Sequence, residues 1–338
     1  MSILYDTIIK VFYKKSIIGG EFMNLLAYFA TLVKSVIYGS TVFFTGKLTE
    51  TVNILDILAL RFLLSFTVIW LLKVTRIFKI RVGLKDFLVK NERSDYIKPL
   101  ILTAIFEPVL YMFFETLGIS MTNGITSGVI LSLAPISSCI CQSVFLKEKT
   151  STAVKVFLGI GIVGVLYIAV NTNSSEGQNS LPGILFLVLS VVCGSLFAVF
   201  SRKSSKAFSP LEITYIYCLL GAVAFNTVNV VRHIINGSLL TYFVPYFDVQ
   251  NMIGFVFLGV ISAIFATVIN SFALSKLKPS TMSAFGGIST FVTVIIGVAF
   301  NNEKLYFYHT IGFILIIIRM IGVSAIEIYN DRKKSLDN

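Results

Sequence analysis

The stretch Leu55-Asp56-Ile57-Leu58-Ala59-Leu60-Arg61-Phe62-Leu63-Leu64 returns 156 positions later as Leu211-Glu212-Ile213-Thr214-Tyr215-Ile216-Tyr217-Cys218-Leu219-Leu220. An acid between Leu and Ile, and a Leu-Leu pair seven residues on, keep the same spacing in both. Lys47 returns as Lys203 at the same offset. Further on the offset becomes 155: Ser120, Thr126, Phe145, Glu148 and Lys149 return as Ser275, Thr281, Phe300, Glu303 and Lys304. Each match is weak alone; the constant offset across both halves is the signal of an internal duplication.

Each copy holds five apolar runs. They cover 24–45, 54–73, 99–118, 125–146, 153–170, 183–201, 211–231, 252–274, 281–300 and 308–328. About 20 apolar residues suffice for a helix to cross a bilayer. The expected fold is therefore all-α and polytopic, with ten transmembrane helices in two five-helix repeats. Five crossings leave the chain on the opposite side, so the second repeat must be inverted, an arrangement associated with alternating access in transporters. The expected organisation is an N-terminal basic arm over 1–22, a first repeat over 23–171, a linker over 172–182, a second repeat over 183–328 and a cytoplasmic tail over 329–338. Two readings of the arm stand: a cytoplasmic segment, or sequence upstream of a translation start at Met23. It lacks the pattern of a cleaved signal peptide, because Lys10, Lys14 and Lys15 interrupt its apolar run.

Composition agrees with a membrane solvent. Hydrophobic residues are 56% of the chain and charged residues 13%, against about 25% charged in soluble domains. The net charge of +11 invites a nucleic-acid reading, but the positions of the charges oppose it. Lys47, Arg232 and Lys304 flank one face of the expected bundle, and Lys34, Arg61 and Arg319 fall inside spans. The remaining Lys and Arg flank the other face. The positive-inside rule makes that face, and both termini, cytoplasmic. The expected partners are a small-molecule solute and the lipid bilayer of the cell membrane, with no nucleic acid; a homodimer is an open alternative to a monomer. Cys139, Cys141, Cys193 and Cys218 all fall in spans, and His233 and His309 are the two histidines. Neither set has metal-site or disulfide spacing. No metal and no cofactor are expected, and without a Gly-rich phosphate loop ATP is not the expected energy source.

Charge inside a span costs about 2.5–3.5 kcal/mol on insertion scales, so each instance needs a reason. Lys34, Arg61, Glu107, Glu115 and Arg319 are those instances. Glu107, Tyr111 and Glu115 recur every fourth residue and share a helix face, and Pro108 removes a backbone donor beside Glu107, where a kink is expected. Lys34, Tyr38, Thr41 and Thr45 form one stripe in the first span. Ser132, Pro135, Cys139 and Gln142 form another in the fourth, and Ser283, Gly287, Thr290 and Thr293 a third in the ninth. Stripes of small and hydroxyl residues also serve plain helix packing, so that alternative stands beside the functional one. The candidate substrate-binding or coupling residues are Lys34, Tyr38, Arg61, Glu107, Tyr111, Glu115, Gln142, Asn270 and Thr290. Lys34 and Glu107 are expected to form an ion pair. The acids serve either as counter-charges or as the groups that meet substrate or proton.

The repeat separates these readings somewhat. Glu107, Tyr111 and Glu115 correspond to Ser262, Ala266 and Asn270, while Lys34 and Arg61 correspond to Ser190 and Tyr217. Charge is concentrated in the first half, which shared packing does not require. Glu148 and Glu303 stand at span ends and read as structural. Arg319 has no visible neutralising partner.

The second-span Arg61-Phe62-Leu63-Leu64, the run from Gly118-Ile119 through Pro135 to Glu148 with Gly164 beyond it, and the second-copy run from Ala273-Leu274 to Glu303 with Gly312 beyond it resemble the drug/metabolite transporter superfamily. Within that superfamily, the resemblance is to the ten-helix branch with two EamA-type domains. It covers about 24 to 328. Thr290 stands where the family often has Pro, and Arg319 and Phe157 replace family glycines. The resemblance implies a central cavity lined by spans one to four and six to nine, with five and ten peripheral. It implies transport, not catalysis, and names no ligand. The reading is a secondary transporter exporting a small polar metabolite such as an amino acid, coupled to protons or to exchange. Alternatives are an uptake carrier for a sugar, a nucleotide-type solute or a quaternary amine. From other classes, the alternatives are a lipid scramblase or an intramembrane enzyme.

Overall fold

The computed structural model describes residues 20–78, 80–83, 92–145, 151–172, 180–277, 282, 285–300 and 306–336, with some side chains near the helix ends and along the last helix excepted. Among the described residues the chain is helical and has no strand. The helices are α1 (Gly20–Thr51), α2 (Ile54–Val74), α3 (Ser94–Ile119), α4 (Gly124–Phe145), α5 (Thr152–Thr172), α6 (Leu181–Ser204), α7 (Pro210–Ile235), α8 (Val249–Lys276), α9 (Gly286–Phe300) and α10 (Phe307–Leu336). Seven of them, α1–α4 and α6–α8, are long and apolar enough to cross a membrane. Shorter apolar helical stretches, Thr152–Gly164, Gly287–Phe300 and Thr310–Val323, lie in α5, α9 and α10.

Local chemistry places the helix starts. Asn53 accepts a hydrogen bond from Leu55 N at the head of α2, and Asn123 accepts one from Thr126 N at the head of α4. Ser180 caps α6 through Gly183 N, and Ser209 and Glu212 form a reciprocal capping box at α7. Inside-out burial marks the solvent as lipid. Leu185, Val188, Leu189 and Val192 are exposed on α6, whereas Ser190 and Ser195 of the same helix are buried. Small and hydroxyl side chains thus share the helix contacts with large apolar ones such as Leu187 and Phe197.

The packing pairs have a pattern. α2 packs on α7, α5 on α10 and α4 on α9, each helix against its counterpart in the other half. α1 packs on α9 and α8, and correspondingly α6 packs on α4 and α3. Exchange of the halves maps this set of contacts onto itself.

Two helices depart from α-geometry at equivalent places. In α3 a π-helical segment spans Ile105–Leu110, with Glu107 extended (φ −144°, ψ 117°) beside Pro108. In α8 a π-helical segment spans Phe257–Ala266. Pro108 signals the first; the second has no proline and no sequence signal. Other boundaries also moved. α3 starts at Ser94, five residues before the expected span, and α10 runs to Leu336 through residues read as a tail. Most of the 1–22 arm and of the 172–182 linker lies outside the described residues, as do Glu148, Glu303 and Ser283 and the side chain of His309. The four cysteines are buried and none is in a disulfide.

Candidate functional site

Four helices, α1, α2, α3 and α7, bring ionisable side chains together well inside the bundle, and α8 packs beside them. On α1 the half-buried Lys34 places its ammonium 5.3 Å from the centre of the Tyr38 ring, one turn on. The Tyr38 hydroxyl is buried beside Thr267 of α8 and makes no hydrogen bond of acceptable geometry. On α2, Arg61 is 1% exposed, and its guanidinium carbon lies 5.2 Å from the centre of the Phe62 ring. Its Nε is sealed from solvent without a partner.

The position of Arg61 is set by a close helix crossing. Ser65 Oγ lies 2.6 Å from the Arg61 carbonyl oxygen and 2.7 Å from that of Gly259, a shared donation that ties α2 to the π segment of α8. A Cβ on Gly259 would come within 2.9 Å of the Arg61 carbonyl oxygen, so this crossing needs glycine.

On α3 the kink moves Glu107 off the regular stripe. Its carboxylate is 6% exposed and accepts no hydrogen bond among the described residues. Two turns on, Glu115 accepts a 2.6 Å hydrogen bond from the Tyr111 hydroxyl. Glu107 lies within electrostatic reach of Glu115, Lys34 and Arg61. The expected Lys34–Glu107 ion pair is not made: among the described residues, neither side chain has an ion-pair or hydrogen-bond partner. The backbone at Glu107 leaves helical geometry at the kink that Pro108 announces, so the regular fourth-residue stripe does not hold there.

Tyr217 of α7 is a member that sequence reasoning left unassigned. It is fully buried, its hydroxyl has no hydrogen-bond partner among the described residues, and it lies within electrostatic reach of Glu107, Tyr38 and Arg61. The signal was available, since Tyr217 is the repeat counterpart of Arg61. Asn270, the counterpart of Glu115, is buried on α8.

The remaining candidates sit elsewhere. Thr290 Oγ1 donates to the Gly128 carbonyl (3.2 Å) and Thr293 Oγ1 to the Gly39 carbonyl (2.8 Å), so the ninth-span stripe lies in the packing seam of α9 with α4 and α1. Gln142 is buried on α4. Arg319 is fully buried and donates from Nη1 to the Ser132 carbonyl at 2.6 Å, a hydrogen-bond acceptor but not a counter-charge; its Nε and Nη2 have no hydrogen-bond partner among the described residues.

A second polar cluster, also unread from sequence, closes one end of the α2–α7 pair. Asp56 Oδ2 meets Arg232 at 2.7 Å, while its Oδ1 meets His233 Nε2 at 2.8 Å and accepts from Asn229 at 2.9 Å. His233 Nδ1 lies 2.8 Å from the Ser238 carbonyl oxygen. At the opposite end of the same pair Glu212, the counterpart of Asp56, meets Arg93 at 3.2 Å and accepts from Ser209 N at 2.8 Å.

A polytopic helical bundle with ionisable side chains in its interior defines the class, a multi-pass membrane protein. The description of the EamA-like transporter family matches residues 25–170 and again 181–325. The chain belongs to that family. An uncharacterized transporter of Bacillus subtilis, YcxC, is 30% identical over 88% of this chain and 92% of its own length. A second from the same organism, YetK, is 23% identical over 86% of this chain and 84% of its own. A solved protein structure superposes with a TM-score of 0.56 at 16% identity, over 86% of this chain and 98% of that one; this likeness concerns the fold alone. The family and the relatives' names indicate a transporter, not an enzyme.

Proposed function

We propose that this protein is a secondary transporter that exports a small polar metabolite, such as an amino acid, by alternating access. The observation that carries the reading is the interior cluster: Lys34, Arg61 and Glu107 are enclosed among five helices with no ion-pair or hydrogen-bond partner among the described residues. Buried charges are expensive, and in membrane helices they mark substrate and ion pathways. The contact pattern that survives exchange of the halves supports two inverted five-helix repeats, ten crossings in all, with α5, α9 and α10 completing the count. Both termini are then cytoplasmic in the cell membrane. Single cysteines at the exposed positions Lys47 and Lys98 should label from opposite sides of sealed vesicles; labelling from the same side rejects this topology.

The functional test is a thermal-shift screen of metabolites on purified protein, followed by flux of each hit in proteoliposomes. A ligand stabilises the state it binds. A stabilising metabolite that accumulates against its gradient when a proton or counter-solute gradient is imposed supports the reading. Binding without flux in either direction overturns it. For coupling, Glu107 and Glu115 are the candidate proton-bearing groups. Glu107→Gln or Glu115→Gln should alter the pH profile of flux with normal membrane insertion; unchanged profiles in both variants reject proton coupling and leave exchange.

A further inference from the structure

We propose that the connection between α7 and α8, residues 236–248, is a lipid-inserted anchor. Its outward side chains, Leu240 and Phe247 above all, lie in the headgroup and upper acyl region of the leaflet at that end of the bundle. The inference needs the chain to be in a membrane; it does not depend on the solute that crosses.

The connection has two sides. Hydrogen bonds fix the inner side to the bundle. The Tyr242 hydroxyl donates to Asn226 Oδ1 of α7 at 2.6 Å, and the Tyr246 hydroxyl donates to the Leu60 carbonyl of α2. The Ser238 carbonyl oxygen lies 2.8 Å from His233 Nδ1. Tyr246 also packs on Phe255 of α8, with ring centres 4.9 Å apart. The outer side is apolar. Leu239, Leu240, Phe243, Val244 and Phe247 are each at least half exposed, Leu240 completely and Phe247 to 83%. Two 3₁₀ turns, Leu239–Thr241 and Val244–Phe247, carry this division. Tyr242 N donates to the Leu239 carbonyl and Tyr246 N to the Phe243 carbonyl. Part of the polar backbone is thereby answered within the segment, as an apolar surrounding requires. With both tyrosines tied inward, the apolar side is held outward.

Three observations name lipid as what covers that side. It continues the exposed apolar flanks of the two helices: Ile234 and Ile235 precede it, and Val249 and Ile253 follow it, all more than half exposed. It carries no charge from Ile234 to Phe247, whereas the α2–α3 connection, its repeat counterpart on the opposite face, has six basic residues from Arg76 to Arg93. Topology accounts for missing positive charge; it does not account for leucine and phenylalanine in place of neutral polar residues. The ions at its borders are engaged with the protein. Arg232 meets Asp56 at 2.7 Å, and the Asp248 carboxylate accepts from Gln250 N and Asn251 N at the head of α8. Exposed Asn236 and Thr241 beside the apolar residues suit the headgroup level. A segment with Leu and Phe on one side and polar anchoring on the other lies along a membrane surface.

The chain has a single tryptophan, Trp70, which gives a clean optical test. Full-length Trp70→Phe protein carries in turn Leu240→Trp, Phe247→Trp or, as a reference at the same end of the bundle, Glu50→Trp. Each is placed in phosphatidylcholine–phosphatidylglycerol vesicles at high lipid-to-protein ratio. The quenchers are phospholipid brominated near the glycerol end of its chains and aqueous acrylamide. Leu240→Trp and Phe247→Trp should emit to the blue of the reference. Brominated lipid should quench them about twofold or more beyond it, and acrylamide should quench them less than it. If one of them fails to fold, Val244→Trp takes its place. Emission and acrylamide quenching like those of the reference at either position put the segment in water and overturn the inference. Blue emission that brominated lipid leaves untouched means that protein, such as a second copy of the chain, covers the patch, and overturns it equally. The two readings fail separately: flux with a water-exposed connection defeats the anchor alone, and a lipid-quenched connection without flux defeats transport alone.

Discussion

Asp56 and Glu107 are both buried carboxylates of the same five-helix half, yet their surroundings are opposite. Asp56, at one end of the α2–α7 pair, has Arg232, His233 and Asn229 on its two oxygens within 2.9 Å. Glu107, deep in the bundle, has two cations within electrostatic reach and none in contact. A carboxylate with both oxygens engaged holds helices together. One left unanswered is costly to stability and open to an incoming partner. Burial alone therefore does not distinguish the two acids; hydrogen-bond satisfaction does.

That contrast makes ordered predictions. The largest effect on stability belongs to the satisfied cluster. Asp56→Ala leaves Arg232 and His233 facing each other without their anion, and breaking a buried pair costs about 3–5 kcal/mol. Because Arg232 is 23% exposed, solvent screening brings the expected loss below that range, to about 2–3 kcal/mol. Melting of the purified protein measures it, and an unchanged midpoint would break the comparison.

The opposite is expected at the interior cluster. Arg61→Leu removes an unpartnered buried charge, so stability should hold or rise, by up to roughly 1 kcal/mol, while flux falls more than tenfold. Flux in proteoliposomes and the melting midpoint are read on the same preparation. Loss of both together would mean that Arg61 is structural.

A smaller effect belongs to the other end of the α2–α7 pair. Arg93 is 30% exposed where it meets Glu212, so a double-mutant cycle through Arg93→Gln and Glu212→Gln should give a coupling of about 0.5–1 kcal/mol. The coupling should shrink in high salt. The least is expected at Thr290→Val, which removes one interhelical hydrogen bond to Gly128. Such bonds average about 0.6 kcal/mol in membrane proteins. A drop of several kcal/mol would show that the α4–α9 seam carries more than packing.

The architecture was largely readable because bilayer thickness and apolarity constrain a sequence strongly. Long runs without charge announced helices, and Leu55-Asp56-Ile57 against Leu211-Glu212-Ile213 announced the duplication. The ionisable residues of the candidate site were readable for the same reason: Lys34, Arg61, Glu107 and Glu115 stand out in apolar text. Their mutual geometry was not. A stripe at every fourth residue assumes an unbroken α-helix, and the extended backbone at Glu107 defeats that assumption. The π segment over Phe257–Ala266 leaves no mark in its residues, because an extra residue per turn is a matter of backbone hydrogen bonding. Tyr217 was passed over because a tyrosine in an apolar span looks ordinary until its hydroxyl proves to be unpartnered. Thr290 was readable as polar and inward, but which neighbour received its hydroxyl depended on α4 approaching at Gly128.

Arg319 bears on the order in which the chain is made. A helix with arginine near its centre enters a bilayer poorly by itself. The carbonyl that receives this guanidinium belongs to Ser132, 187 residues earlier in the chain. Synthesis runs from the N-terminus, so α4 and its Ser132 exist before α10 emerges from the ribosome. The last helix thus finds its acceptor already made. The burial of Arg319 thereby ties the end of the chain to a segment of its first half.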